Sequence, residues 1–190
     1  MLFRSPIGPF YTKEEADAEA AKDGSTYVED AGRGYRKVVP SPMPKEIVEK
    51  EAVRALVEAD VLTICSGGGG IPVVAEDGQY VGVEAVNDKD FSARVLAENV
   101  DADRLIILTG VDNIYINYNQ PDQKALEQIS VAEAEEYIKE GHFAAGSMLP
   151  KIEAALDFVK GDDKRKAIIT SIENLENIDK EAGTVISQKG

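Results

Sequence analysis

Three groups of residues have types and spacings suited to handling a phosphate. Ser66 and four glycines, Gly67 to Gly70, form an unbroken run of small residues. Successive glycines let backbone N–H groups turn toward one point, and they admit a ligand where a Cβ would intrude. The same run also suits an ordinary tight turn. Asp88-Lys89-Asp90 sets a lysine between two acids at the start of a helical apolar pattern, Phe91, Val95 and Leu96. Lys151 falls in the first turns of another such pattern, SMLPKIEAALDFVK, where the preceding N–H groups also face anions. A lysine there slightly opposes the helix macrodipole, which gives its position a reading beyond structure. Taken singly, each lysine reads equally well as an exposed surface residue. Phosphoryl transfer needs donor and acceptor held in line and the charge on the transferring oxygens neutralised.

Charge and composition narrow the classes. A net charge of −14 argues against nucleic acid and against anionic membranes as partners, since both require a basic surface. Any anion site must then rest on a few local lysines. The single cysteine, Cys65, cannot form an internal disulfide and suits a reducing, cytoplasmic compartment. Its place in the apolar run VLTIC predicts a small core residue. A single histidine, His142, leaves no His cluster for a metal and argues against a Ser–His–Asp hydrolase. No apolar run approaches the ~20 residues that span a bilayer. The apolar part of MLFRSPIGPFY is too short for a signal peptide.

The elements that position these residues follow from periodicity. Residues 1–11, with Pro6, Gly8 and Pro9, predict no regular element. Thr12 to Lys22 reads as a surface helix with Thr12 as N-cap and Glu15 completing a capping box. Ser25 to Val39 predicts two short strands around the basic turn in EDAGRGYR, which is either a solvated tip or part of a site. PSPMP is an extended connector and the boundary between a segment 1–44 and a main domain 45–190. Lys45 to Ala59 has the spacing of an amphipathic helix. Val61 to Cys65 is expected as a strand buried on both faces, followed by the glycine run and a hairpin turning at Glu76-Asp77-Gly78. A helix runs from Asp90 to about Asn99, and a strand from Arg104 to Leu108 ends at Thr109-Gly110-Val111-Asp112. Helices open at Ser130 and at Gly146-Ser147, Lys166 to Thr170 is a strand, Ser171 to Ile178 a short helix, and residues 183–186 a last strand. Strands alternating with helices imply an α/β fold, three layers with a mostly parallel sheet covered on both faces. Ligands in such sheets bind at the carboxyl ends of strands, where the glycine run, the Thr109–Asp112 loop and Thr170 fall.

The segments SGGGGIPVV, GVEAVNDKD, LTGVDNIYINYNQPDQKAL and EGHFAAGSMLPK closely resemble carbamate kinase, of the amino-acid kinase superfamily, from about Pro6 to Val185. The resemblance implies that ATP or ADP, with Mg2+ carried on the nucleotide, and carbamate or carbamoyl phosphate are the substrates. Asp88 and Asp90 are too few for a dedicated metal cage. It implies that Lys89 and Lys151 bind phosphates and stabilise the transition state while Asp90 orients them. Ser66, Gly67, Gly68 and Gly69 would contact the transferred phosphate. Thr109, Asp112, Asn113 and Tyr115 would border the nucleotide, with Tyr118 as a further contact, and Ser147 and Met148 would close its adenine side. It also implies a homodimer and a small subdomain protruding near the N-terminus.

Departures from that pattern are expected to matter. The glycine–glycine–asparagine loop with which carbamate kinases hold the acyl phosphate has no match, so the chain resembles the C-terminal three-fifths of such an enzyme. Ser5 stands before Pro-Ile-Gly where a lysine is usual, with Arg4 as the adjacent cation. Asn87 stands where an apolar residue usually precedes the DKD triplet. These differences predict impaired turnover. At the limit they predict a silent nucleotide-binding or interaction module.

Overall fold

The computed structural model describes residues 4–30 and 32–190, and of Arg4 only the backbone. The role considered for the Arg4 side chain therefore lies outside the described residues. The chain divides into two compact units, residues 1–44 with 66–89, and residues 45–65 with 90–190.

In the first unit β1 (Arg4–Tyr11), β2 (Thr26–Glu29) and β3 (Tyr35–Pro40) form an antiparallel sheet in the order β1-β3-β2. The expectation of no regular element before Thr12 fails for residues 4–11. Two prolines are tolerated because β1 is an edge strand, and the register slips between Ile7 and Tyr11, where Gly8 has φ 71°. Helix α1 (Lys13–Asp23) starts at the predicted capping box: Thr12 accepts from the Glu15 N–H, and the Glu15 carboxylate accepts from the Thr12 N–H at 2.9 Å. Strands β4 (Val73–Glu76) and β5 (Gln79–Gly82) form the predicted hairpin, with Asp77 and Gly78 both at positive φ in its two-residue turn.

The second unit is built on a four-stranded sheet of β6 (Arg104–Thr109), β9 (Gln128–Ser130), β10 (Lys166–Ser171) and β11 (Thr184–Ser187), ordered β6-β10-β11-β9. Two of its three pairings are parallel, and β10–β11 is antiparallel. With the helices around it, this is the expected α/β class. Helix α2 (Lys50–Glu58) begins five residues later than its periodicity suggests, and its N-cap Glu49 makes no side-chain cap. Helices α3 (Lys89–Asn99), α4 (Val131–Lys139) and α5 (Met148–Lys160) follow the predicted patterns, α4 with its own capping box from Ser130 and Glu133. The short helix after Ser171 is a 3-10 turn over Leu175–Lys180. One core holds Leu105 and Ile107 of β6, Ala167 and Ile169 of β10, Ile186 of β11, and Ile152, Leu156 and Phe158 of α5. Each large apolar side chain fully buried there contributes roughly 1.5–3 kcal/mol.

The strand expected at Val61 to Cys65 is absent. The segment has no strand partner, Leu62 and Ile64 are 95% and 93% exposed, and Cys65 is half-buried instead of a core residue. An apolar β-branched run becomes a strand only when a neighbour supplies the ladder, and none of the described strands does so.

Candidate functional site

The strongest link among the predicted site residues joins two helix starts. Lys151 Nζ donates to Asp90 Oδ2 at 2.7 Å, and both side chains are nearly enclosed, 13% and 8% exposed. Asp90 lies in the first turn of α3, where a carboxylate is favoured by the helix dipole. Lys151 lies one turn into α5, with Pro150 before it in a position that needs no amide donor. The aspartate holds the ammonium in one place at little exposure, the arrangement a fixed cation for phosphate requires. Lys89 opens α3 and is exposed, and the division between the two units falls between it and Asp90. Further along α5, burial, with Asp157 adding like charge, raises the Glu153 carboxyl above its ordinary range.

The glycine run folds back on itself and onto the backbone of Asn87. Ser66 and Gly67 adopt positive φ, and the Gly69 and Gly70 amides both donate to the Ser66 carbonyl, at 2.8 and 2.6 Å. Those bonds commit two of the amides within the turn. Gly69 is buried with φ 130°, and a Cβ there would stand 2.3 Å from the Asn87 carbonyl oxygen. The close approach that requires glycine is thus made by the backbone just before Asp88. Gly67 and Gly68 form the exposed part of the turn.

The loop after β6 is tied to three other strands. Ser171 Oγ donates to Asp112 Oδ1 at 2.5 Å and accepts from the Asn174 N–H at 3.1 Å. Asn113 Nδ2 donates to the Leu126 carbonyl, and the Ile114 N–H donates to Thr184 Oγ1. These bonds seat β7 (Ile114–Ile116) beside β8 (Lys124–Leu126) and leave Tyr115 against Tyr118, ring centroids 5.9 Å apart. Thr109, the last residue of β6, is half-buried opposite Ser171. Sequence reading missed Ser171 and Thr184. The first had a usable signal, a hydroxyl at the carboxyl end of an apolar strand. The second had none.

At the start of α5 Ser147 is exposed and provides no side-chain cap, while Met148 packs on the core. Phe143, read with them as one segment, is buried in that core. His142 is held by Glu140 at 3.0 Å and by the edge of Tyr137, a structural setting. In the first unit the basic turn closes on itself: Arg33 and Arg36 lie over Phe10 and both pair with Asp30. An open cavity of about 800 Å³ runs beside Asn113, Leu126 and Tyr137, where Glu127, Glu133 and Glu181 outnumber Lys124 and Lys180. That charge balance does not suit a phosphate. Among the described residues no group of three or more His, Cys, Asp or Glu is placed to hold a metal ion.

Comparison with known proteins gives the family of the chain. Carbamate kinase 1 of Enterococcus faecium is 56% identical over 185 residues, 96% of this chain and 59% of that protein. Carbamate kinase of Lentilactobacillus hilgardii is 55% identical over 97% of this chain and 58% of its own length. The structure of carbamate kinase from Giardia lamblia bound to AMP-PNP superposes with a TM-score of 0.82 at 46% identity, covering 96% of this chain and 58% of that one. The resemblance seen in the motifs is therefore borne out. The chain spans just under three fifths of the length of the relatives it matches. With the sequence model of the amino acid kinase family matching residues 13–171 as well, this chain belongs to the amino acid kinase family.

Proposed function

We propose that this chain is a carbamate-kinase-like phosphotransferase, exchanging ATP plus carbamate with ADP plus carbamoyl phosphate, in which the nucleotide-handling half is retained. The observation that carries this reading is the Lys151–Asp90 pair, a nearly enclosed, carboxylate-held ammonium at two helix starts. In such a reaction the ammonium neutralises charge on the transferring oxygens, and Asp90 keeps it from swinging away as charge moves. Lys89 would contribute a second cation and Ser66 to Gly69 would contact the phosphate. Thr109, Asp112, Asn113, Tyr115, Ser147 and Met148 would line the nucleotide. Mg2+ enters on the nucleotide. In the same reading the chain works in the cytoplasm as a homodimer, in arginine and carbamoyl phosphate metabolism.

A second reading, a catalytically silent nucleotide-binding module, is favoured by the exposure of the 61–65 run that leads into the glycines. Isothermal calorimetry with MgADP, alongside an ATP-forming assay from ADP and carbamoyl phosphate, tests both. Binding with turnover supports the first, and binding without turnover the second. A folded chain that gives no heat at millimolar nucleotide rejects both.

A further inference from the structure

Strands β7 and β8 form a sheet of their own, separate from the four-stranded sheet, and three residues per strand are too few to hold it alone. A single hydroxyl reaches across to both strands. Thr184 Oγ1, on the first residue of β11, accepts from the Ile114 N–H at 2.8 Å and donates to the Leu126 carbonyl. Ile114 and Leu126 are register partners, so the hydroxyl closes the end of the ladder. The Asn113 side chain brings a second donor to the same carbonyl, at 3.1 Å. Thr184 is wholly buried, where a polar group left unpaired costs about 1–3 kcal/mol, so these groups are committed to one another. The place of Thr184 is itself set by β10. It pairs with Ile169, and a side chain on the preceding Gly183 would begin 2.6 Å from Thr170 Cβ.

Thr184 thus does from β11 what Ser171 does from the adjoining β10, whose hydroxyl holds Asp112. The two anchors fall at Asp112 and Ile114, on either side of Asn113, and Tyr115 follows directly. We infer that Thr184 is a positioning residue for the loop that borders the nucleotide. Wholly buried, it touches no ligand; it acts through Ile114 and Leu126, fixing where the backbone from Asp112 to Tyr115 stands against the base. The inference rests on the nucleotide reading of Asp112, Asn113 and Tyr115 proposed above. Its consequence is selectivity. A loop held by a buried hydroxyl presents its polar groups at fixed places, and such a site rejects a base that cannot match them. A loop free to shift accommodates a matching base and a mismatched one more nearly alike.

Three variants test it: Thr184→Val removes the hydroxyl and keeps the shape, Thr184→Ala removes it and adds no atom, and Thr184→Ser keeps it. Ile186→Val, a core change on the same strand, is the control for lost stability alone. Amide exchange at Ile114 should quicken about tenfold in the valine and alanine variants and change little in the serine variant and the control. Calorimetry with MgADP and with MgGDP should show the preference between the two falling about threefold without the hydroxyl, returning with serine and unmoved by Ile186→Val. Exchange at Ile114 that rises no further in the hydroxyl-free variants than in the control would overturn the inference. So would equal losses of affinity for both nucleotides, which would reduce Thr184 to a source of stability. If the unsubstituted chain binds neither nucleotide, the nucleotide reading itself falls, and exchange at Ile114 alone decides whether Thr184 anchors the loop.

Discussion

The carbonyl oxygen of Asn87 occupies the space where a side chain at Gly69 would begin, 2.3 Å from the ideal Cβ. The glycine run and the backbone at Asn87 are therefore fitted to one another. Gly69→Ala must displace that carbonyl and hold alanine at φ 130°, at a cost of about 3 kcal/mol. Gly68→Ala meets nothing within 4 Å and should change stability by less than about 0.5 kcal/mol. Thermal unfolding of the two variants decides the matter. Equal losses would show that the Asn87 contact is not what makes glycine necessary.

The Lys151–Asp90 pair gives a second prediction. Breaking a nearly buried ion pair is costly, so Asp90→Asn and Lys151→Met should each destabilise by about 3 kcal/mol. The double variant should lose less than the sum, with a coupling of about 1–3 kcal/mol. Denaturant unfolding of the four proteins measures it. In calorimetry Lys151→Ala should lower affinity for MgADP more than Lys89→Arg, which keeps the charge and only reshapes the donor.

Much of the fold was legible because its signals are local. Thr12 with Glu15 and Ser130 with Glu133 mark helix starts within four residues, and Asp77-Gly78 sets a hairpin by its own φ preferences. The errors share a cause as well. Whether Val61 to Cys65 or Arg4 to Tyr11 is a strand depends on a distant neighbour. The prolines that argued against β1 are harmless at an edge, while the ideal composition of the 61–65 run is idle without a partner. The site divides similarly. Lys151 and Asp90 stand out through helix position, but the bond that Thr184 accepts from the Ile114 N–H spans 70 residues and leaves no trace in any local pattern.

The bond from Ser171 to Asp112 carries the third prediction. Ser171→Ala removes a hydrogen bond to a carboxylate and the acceptor for the Asn174 amide, and should cost about 1.5–3 kcal/mol. Ser171→Thr keeps the hydroxyl and should recover part of the loss. Amide exchange over residues 110–116 should quicken in the alanine variant and return with threonine. If the loop exchanges unchanged without the hydroxyl, Ser171 does not position Asp112.

Glu153 sets a pH dependence. Its carboxyl titrates above the ordinary 4.5 in the folded chain, first because of burial and then because of Asp157. Between the two values the folded state holds a proton that the unfolded state has released. Stability therefore falls as pH rises through that window, and the penalty is complete above it. Glu153→Gln should raise Tm at pH 7 by about 1–2 °C, the effect of ~0.5 kcal/mol in a chain of this size. Below pH 4 the gain should vanish. A gain of the same size at both pH values would assign it to something other than ionisation.

The last prediction is that the 190 residues assayed alone turn over far more slowly than an intact carbamate kinase. Well-placed reactants contribute about 7–11 kcal/mol of barrier reduction. Among the described residues no strand pairs with the run that leads into the glycine turn, so the glycines of the proposed phosphate site follow a segment that no sheet holds. Ser5, paired with Val39 in β1, brings a hydroxyl to the position where the resemblance implies a lysine. Loss of one such electrostatic donor is worth roughly 10²–10³ in rate. ATP formation from ADP and carbamoyl phosphate, measured beside the Enterococcus faecium enzyme, gives the comparison. Ser5→Lys should raise the rate only when the portion of a carbamate kinase outside the matched stretch is also supplied, because a cation cannot stabilise a transition state whose reactants are not yet aligned. A rate for the chain alone within about tenfold of the control would sink the prediction, since no loss on the scale of a single donor would then remain.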